Sequence, residues 1–194
     1  MNINVQSLNQ LIQTRRSTKP RLLNGQQIDD SIVWQILENA NWAPTHGLTQ
    51  PWLFKVFTGE GLKKLADFQS HLYQQLTPAA KFSADKFERL RSNVLKASHV
   101  IVICMQRQES ETIPEIEEIE AVACSVQNMA LTATAYGICS FWGSGGVTYT
   151  SELKTFLGLS EKDRCLGYLY LGYSDNPATQ SQRKPLQDKV EWIS

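Results

Sequence analysis

Apolar residues recur at helical spacing in several segments of the chain, and each such segment predicts an amphipathic helix. The first segment carries Val5, Leu8 and Ile12 on one face and is expected to end near Arg15. The same spacing predicts further helices after Asp29, after Gly61, in the second half of 77–96, over 119–136 and from 151 to 158.

Apolar runs bounded by turn residues predict four strands, over 52–58, 99–105, 138–142 and 166–173. The second run is apolar at successive positions, so we expect helices on both of its faces and a central place in the sheet. Four strands among five or six helices are too few and too irregularly spaced for a barrel. The pattern therefore predicts an α+β fold with one central mixed sheet flanked by helices.

The predicted helix over 119–136 carries apolar residues on nearly all sides. Val122 and Met129 share one face, whereas Cys124 and Leu131 lie on the opposite one. A helix that is hydrophobic all round is buried, and a chain of 194 residues has little core with which to cover it. Two interpretations stay open, burial in a dimer interface and burial at the centre of a monomer.

Length and composition narrow the class of protein. The 194 residues predict one domain over 1–194, and a hydrophobic content of 42% excludes a disordered chain. Lys and Arg together number 19, as do Asp and Glu, and this balance argues against general nucleic-acid binding, which needs positive charge. No apolar run approaches the roughly 20 residues that span a bilayer, so no membrane contact is expected.

The cysteines bear on the cellular compartment. All four lie far apart and none forms a C-x-x-C pair, which argues against a zinc ribbon or a thioredoxin-like motif. The first ten residues lack the basic and apolar regions of a signal peptide. Scattered thiols without an export signal favour a cytoplasmic location.

Three cations and two hydroxyl groups follow the first predicted helix. Arg15, Arg16, Ser17 and Lys19 can surround an anion with charge-assisted hydrogen bonds. A guanidinium binds two phosphate oxygens, whereas Lys acts as a point charge elsewhere on a ligand. Basic residues at a helix C-terminus also complement the helix dipole without binding anything, so this segment alone leaves both interpretations open.

A loop with Pro44, Thr45 and His46 precedes the first strand, and its hydroxyl and imidazole groups suit ligand binding from a rigid scaffold. The prolines are explained equally well as a helix stop and a strand start. His46 has no metal-ligand spacing with the other histidines, so no metal site is expected. A later glycine-rich turn over 141–146 lacks the G-x-G-x-x-G order of a dinucleotide site, although its glycines permit close approach to a ligand.

The three candidates in this order resemble the nitroreductase family of FMN-dependent oxidoreductases, in particular its small single-domain members. R-x-S-T-K follows an N-terminal helix, A-P-T-H-x-x-x-Q-P-W comes next, and a long apolar helix precedes W-x-S-G. The match runs from Leu8 to about Trp192. The resemblance implies a mainly antiparallel α+β sandwich and a homodimer with two shared active sites, each FMN contacting both chains.

The resemblance also assigns roles to residues of this chain. From one subunit, Arg15, Arg16 and Ser17 would bind FMN, the arginines mainly at the phosphate, and Lys19 would address the N1/O2 edge of the flavin ring. Arg183 would add a phosphate contact. The tail over 174–194 would contact the partner subunit.

The other half of the implied site comes from two loops. Pro44, Thr45 and His46 would reach the same FMN from the partner subunit. Three residues of the glycine-rich turn would line the flavin, with backbone N–H groups near N5: Trp142, Gly143 and Ser144. Because FMN carries the chemistry between NADH or NADPH and a flat oxidant such as a nitroaromatic or a quinone, in ping-pong order, no side chain is expected to act as an acid or base.

Departures from the family pattern limit these expectations. Several small relatives have Arg where this chain has Trp42 and again where it has Gly143. Preference for anionic substrates, or for the phosphate of NADPH, is therefore expected to be weaker. Nothing between Thr77 and Asn93 clearly matches the Asn and Lys that larger members place on the flavin ring.

Other functions stay open at this point. An FMN-binding carrier or regulatory protein with little turnover is one, and the missing arginines motivate it. A specialised flavin reaction such as reductive dehalogenation is another, although no lid for a zwitterionic substrate is evident. A dimeric scaffold without a ligand would leave the combination of motifs unexplained.

Overall fold

Helices cover both faces of the sheet at its second strand, and every residue of that strand is buried as a result. The structure, a computed structural model, describes residues 4–176 and 180–194. Its strands are β1 (Trp52–Phe57), β2 (His99–Met105), β3 (Cys139–Gly143) and β4 (Arg164–Gly172). They lie in the order β1-β2-β4-β3, and each neighbouring pair is antiparallel. Among the described residues, one isolated parallel bridge joins Ser17, which lies outside these strands, to Ser140 of β3.

The helices confirm the predicted pattern and occupy α1 (Val5–Thr14), α2 (Asp30–Ala40), α3 (Glu60–Leu76), α4 (Ala84–Leu95), α5 (Glu115–Ala135) and α6 (Ser151–Leu157). Asp29 is the residue that caps α2, since its carboxylate accepts the Ser31 N–H at 2.8 Å. Three glutamates occupy the first turn of α5, where the helix dipole favours negative charge. Gly137, with φ 70°, turns the chain away after α5.

The two faces of β2 belong to two separate cores. Val100, Val102 and Cys104 pack with residues of α3, α4 and α6. The alternate positions Ile101 and Ile103 pack with residues of α2 and α5. Because successive side chains of a strand point to opposite faces, one apolar run fills both cores, and this confirms the α+β sandwich predicted above.

Two helices expose apolar surface that the protomer does not cover. α1 buries none of its residues, and its stripe of Val5, Leu8 and Ile12 faces solvent. α5 packs one side against the core but leaves Cys124 and Ile116 exposed. The prediction that α5 is buried almost all round therefore fails for a single protomer, because one chain supplies a covering layer for only one side of this helix.

The described part of the tail is exposed. Residues 177–179 of the predicted segment 174–194 lie outside the described residues, and 180–194 has exposed apolar side chains at Leu186, Val190, Trp192 and Ile193. The single domain over 1–194 and a contact of the tail with a partner stay predictions. Among the helices described, none is both long enough and apolar enough to cross a bilayer. All four cysteines are free thiols.

Candidate active site

The basic segment after α1 lies against β3, an edge strand of the sheet. The Thr18 N–H donates to the Ser140 carbonyl at 2.9 Å, and Ser17 forms its bridge with the same residue. This pairing aligns Arg15 to Lys19 with the strand that ends in the glycine-rich turn. Two of the three candidate motifs thus lie side by side.

A β-bulge fixes the aromatic side chain at the end of β3. The register between β2 and β4 shifts after Ile103, so Leu166 has no partner on β2. Its carbonyl accepts a hydrogen bond from the Trp142 indole Nε1 at 3.0 Å. Bulges near functional sites commonly redirect a side chain. Here the bulge orients an indole that lines a pocket of about 400 Å³ together with Ser144 and Tyr149.

Glycine is required where the bulge meets β3. Gly167 has φ 122°, and a Cβ there would lie 2.5 Å from the Gly143 carbonyl oxygen and 3.0 Å from Nε1 of Trp142. At Gly143 itself, a Cβ would lie 2.8 Å from Cε1 of Phe141. An Arg at position 143 would need this ring to move.

A cavity of about 400 Å³, which we call the α4 cavity, lies on the other face of β3. Phe141 and Gly143 line it because they alternate with Trp142 along the strand. Basic side chains come from the segment after α1 and from α4: Lys19, Arg21, Lys86 and Arg89. Among the residues that the structure describes, no carboxylate lines the cavity. The site is thus positively charged.

Three buried polar atoms border the α4 cavity and have no hydrogen-bond partner within 3.5 Å among the described residues: the Gln69 amide Nε2, the Asn93 amide Oδ1 and the Tyr168 hydroxyl. Gln69 is 2% exposed and Tyr168 is 3% exposed. An unpaired buried polar group costs about 1–3 kcal/mol, so three in one cavity indicate a place for a polar ligand.

The tyrosines of the cavity are proton donors at neutral pH. Burial raises the pKa of Tyr168 well above its usual value. Burial also raises the pKa of Tyr170 to about 12. Both phenols therefore keep their protons and can donate to a ligand. Gln69 offers further N–H groups, whereas the free Asn93 oxygen offers an acceptor.

A second depression, of about 450 Å³, lies beside the basic segment and contains Arg15, Arg16 and Arg183; we call it the arginine depression. The Arg16 guanidinium donates to the carbonyls of Gln13 and Arg15, and this caps the end of α1. Arg183 donates to the Ser181 hydroxyl, a contact within the tail, and both residues line the depression. The structure thus brings together the three arginines predicted to contact one anion.

The loop with Pro44, Thr45 and His46 lies elsewhere on the protomer. Thr45 lines a separate hollow of about 280 Å³. His46 Nδ1 lies 2.5 Å from the Glu117 carboxylate at the start of α5. None of the three residues lines the α4 cavity or the arginine depression. One protomer therefore holds two parts of the predicted site apart, as expected if the loop serves the partner's site.

Sequence reasoning missed most of the wall that α4 provides. Lys86, Arg89 and Asn93 share one face of this helix at three- and four-residue spacing, and that spacing was visible in the sequence. Gln69 interrupts the apolar stripe of α3, another available signal. Within residues 4–176 and 180–194, no group of three or more His, Cys, Asp or Glu side chains is placed to hold a metal ion.

Known proteins share this architecture over nearly the full chain. A crystal structure of a nitroreductase-like family protein from Bacillus cereus superposes with a TM-score of 0.84 at 28% identity, covering 100% of this chain and 98% of that one. NfnB of Mycobacterium smegmatis, described as an FMN-dependent nitroreductase in complex with NADPH, gives a TM-score of 0.78 at 18% identity, covering 98% and 99%. The latter likeness concerns the fold alone.

Sequence comparison points the same way. YfhC of Bacillus subtilis, which carries the provisional name NAD(P)H nitroreductase, is 25% identical over 183 residues, or 94% of this chain and 92% of its own. Residues 12–173 match the pattern of the family described as the nitroreductase family. This match includes the basic segment, β3 and α4. The chain belongs to the nitroreductase family.

Proposed function

We propose that this protein is an FMN-dependent oxidoreductase that transfers reducing equivalents from NADH or NADPH to nitroaromatics, quinones or similar flat acceptors. The observation that carries the proposal is that the basic segment from Arg15 to Lys19 contributes to two candidate sites, the arginine depression and the α4 cavity. The arginine depression supplies three cations, and the α4 cavity supplies three buried polar atoms without partners. Family membership and the FMN-dependent relative of the same fold add support.

The arginine depression suits the phosphate of FMN. Arg15, Arg16 and Arg183 present guanidinium groups, which match phosphate oxygens in geometry and charge. Ser17 follows directly in the chain and offers a hydroxyl. Lys19, two residues further on, lines the α4 cavity, so this segment would contribute to both the phosphate site and the flavin site.

The α4 cavity suits the polar edge of the flavin ring. Gln69 and Tyr168 offer donors, and Asn93 offers an acceptor. An imide, with two carbonyls flanking an N–H, is complementary to such a set, and the pyrimidine ring of a flavin carries an imide. FMN would satisfy groups that this cavity otherwise leaves unpaired, and by this test the residues fit the cofactor.

FMN, when bound, supplies the redox chemistry of the reaction. Lys19 lines the α4 cavity and would stabilise the negative charge that reduction places at the N1/O2 edge. The backbone of Gly143 would lie against the ring. Trp142 and Ser144 line the pocket on the opposite face of β3, so this placement gives the Trp142 side chain no contact with the ring. These groups bind and orient, so the proposal assigns no acid or base to a side chain.

The site needs a second subunit in this proposal. Pro44, Thr45 and His46 would contact the FMN bound to the partner, because they line neither cavity of their own protomer. The exposed apolar stripe of α1 and the open side of α5 are the surfaces that a second copy would bury. The tail over 174–194 would contact the partner as well. The free thiols support a cytoplasmic location.

A rapid-mixing experiment tests the function. Protein loaded with FMN is mixed anaerobically with NADH or NADPH, and loss of flavin absorbance is followed before a nitroaromatic or a quinone is added. We expect bleaching by at least one nucleotide and recovery on addition of the oxidant. Ping-pong order predicts parallel lines in double-reciprocal plots. Bound flavin that neither nucleotide reduces would instead favour a carrier or regulatory protein.

A further inference from the structure

The α4 cavity contains more positive charge than the proposed cofactor accounts for. If Lys19 serves the flavin edge, then Arg21, Lys86 and Arg89 still line the same cavity. Within the described residues, none of these three forms an ion pair with a carboxylate. The Lys86 ammonium lies over the Tyr73 ring, 4.5 Å from its centroid, a contact that holds the charge in place without neutralising it.

Arg91 shows how an arginine of the same helix that lies outside the cavity is paired with a carboxylate. Arg91 lies two residues beyond Arg89 on α4, and its guanidinium is 3.1 Å from the Asp67 carboxylate of α3. The acidic residues of α4, Asp85 and Glu88, do not line the cavity. Two of the three cations of this helix, Lys86 and Arg89, therefore lie on the cavity face, and its carboxylates lie away from it.

The opposite wall adds to the positive field. Arg21 lies in the short turn after Lys19, and its backbone carbonyl accepts a hydrogen bond from the Lys96 ammonium at 3.2 Å. Like charges that converge on a concave surface repel one another and raise the local concentration of anions. An anionic group in the cavity would relieve that repulsion and gain charge-assisted hydrogen bonds.

We propose that Arg21, Lys86 and Arg89 form an anion subsite beside the flavin, which selects substrates that carry a carboxylate or phosphate group. The inference rests on the proposed function, because the anion belongs to a substrate of the same site. The proposal is opposite to the expectation from the sequence that preference for anionic substrates is weaker. The chain lacks arginines at positions 42 and 143, but α4 and the turn after Lys19 supply guanidinium groups instead.

Two sources share this chemistry, the phosphate that distinguishes NADPH from NADH and a carboxylate on the oxidant. Matched substrate pairs separate them. We compare NADPH with NADH, and 4-nitrobenzoate with the neutral 4-nitrobenzamide, in the parent protein and in an Arg21→Gln/Arg89→Gln variant. Arg91→Gln is the control, since this residue lies on the same helix and its cation is paired outside the cavity.

The expected result is a loss of discrimination. For each pair we divide the kcat/KM of the more anionic substrate by the kcat/KM of its less charged partner. In the double variant this ratio falls at least tenfold in one of the two pairs. The pair that responds identifies the anion. Arg91→Gln leaves both ratios within twofold of the parent. Equal losses for both members of each pair, or no change in either ratio, would overturn the proposal.

A binding measurement gives a readout independent of turnover. Calorimetric titration with benzoate and with benzamide, and with NADP⁺ and NAD⁺, reports affinity whether or not the protein reduces anything. In the pair that responds, the double variant should bind the more anionic ligand at least tenfold more weakly than the parent does and lose little affinity for its less charged partner. Anion selectivity that persists in a protein whose flavin no nucleotide reduces would reject the proposed function and keep the subsite. An active enzyme without anion selectivity would keep the proposed function and reject the subsite.

Discussion

The substitution Gly167→Ala tests whether the bulge in β4 holds the end of β3 in place. Gly167 has φ 122°, which an alanine rarely adopts, and the added Cβ would lie 2.5 Å from the Gly143 carbonyl oxygen. That oxygen belongs to the backbone of the strand that borders both the α4 cavity and the Trp142 pocket. No flexible side chain can absorb the clash with it.

Two costs add at this position. An unfavourable backbone conformation costs about 1–3 kcal/mol, and overpacking in a closely packed region costs about 1–3 kcal/mol more. The substitution should therefore lower the free energy of unfolding by about 2–6 kcal/mol, a large share of the roughly 5–15 kcal/mol typical of a domain. Trp142 should also become more mobile, since the indole is hydrogen-bonded to the adjacent residue, Leu166.

Two other glycines provide matched controls. Gly137 has φ 70° but nothing within 4 Å of its Cβ position, so Gly137→Ala should cost only the backbone term, about 1–2 kcal/mol. Gly145 has neither a positive φ nor a close neighbour, and Gly145→Ala should change stability by less than about 1 kcal/mol.

Urea denaturation followed by circular dichroism at one fixed protein concentration measures all three variants, because the stability of a dimer depends on concentration. Because the chain has five tryptophans, the contribution of Trp142 is measured as the difference in fluorescence between each protein and its Trp142→Phe version. If Gly167→Ala cost no more than Gly137→Ala, the close approach of β4 to β3 would not constrain the strand, and the reasoning would be refuted.

Three further predictions concern buried charge and assembly. Arg107→Ala leaves the Glu118 carboxylate, 1% exposed, without its ion-pair partner and should lower the free energy of unfolding in urea by about 3–5 kcal/mol. Lys63→Ala, at an exposed ion pair, should lower it by less than about 1 kcal/mol, and equal costs would contradict this prediction. Burial acts to raise the pKa of Asp163, but hydrogen bonds from two backbone N–H groups outweigh it and lower the pKa. This carboxylate therefore stabilises the fold above its unfolded pKa near 3.9 and loses that contribution as the pH falls through the lower folded pKa. Asp163→Asn should lower the free energy of unfolding by about 1–3 kcal/mol at pH 7 and by progressively less below about pH 4. A cost that does not change with pH would reject the assignment. Ile12→Glu places a charge on the exposed stripe of α1 and should shift the mass in sedimentation from twice 21.9 kDa to 21.9 kDa, whereas a dimer that persists would exclude this stripe from the interface.

Local patterns in the sequence were enough to predict the elements of this fold. Apolar positions on both faces of β2 predicted its central place, and the structure pairs it with β1 and β4. Helical spacing predicted that one helix begins after Asp29 and that the long helix ends at 136, and the structure has α2 at Asp30–Ala40 and the end of α5 at Ala135. These signals are short-range, so a single sequence carries them.

The walls of the candidate site depend on tertiary packing. Lys86, Arg89 and Asn93 look like the solvated face of a polar helix until α3 and β4 bring Gln69 and Tyr168 to the same cavity. Nor does any local rule place a bulge at Leu166. The basic segment was identified from its composition, but its alignment with β3 rests on a hydrogen bond to Ser140 that only the folded chain shows.

Titration of the purified protein with FMN tests the central claim most directly, with flavin fluorescence as the signal. The account predicts saturation at one FMN per chain and, for Arg15→Ala, a dissociation constant raised by about 10- to 150-fold, the equivalent of about 1.5–3 kcal/mol for one charged hydrogen bond. A protein that leaves FMN free in solution, or an Arg15→Ala variant that binds it as tightly as the parent, would contradict the account.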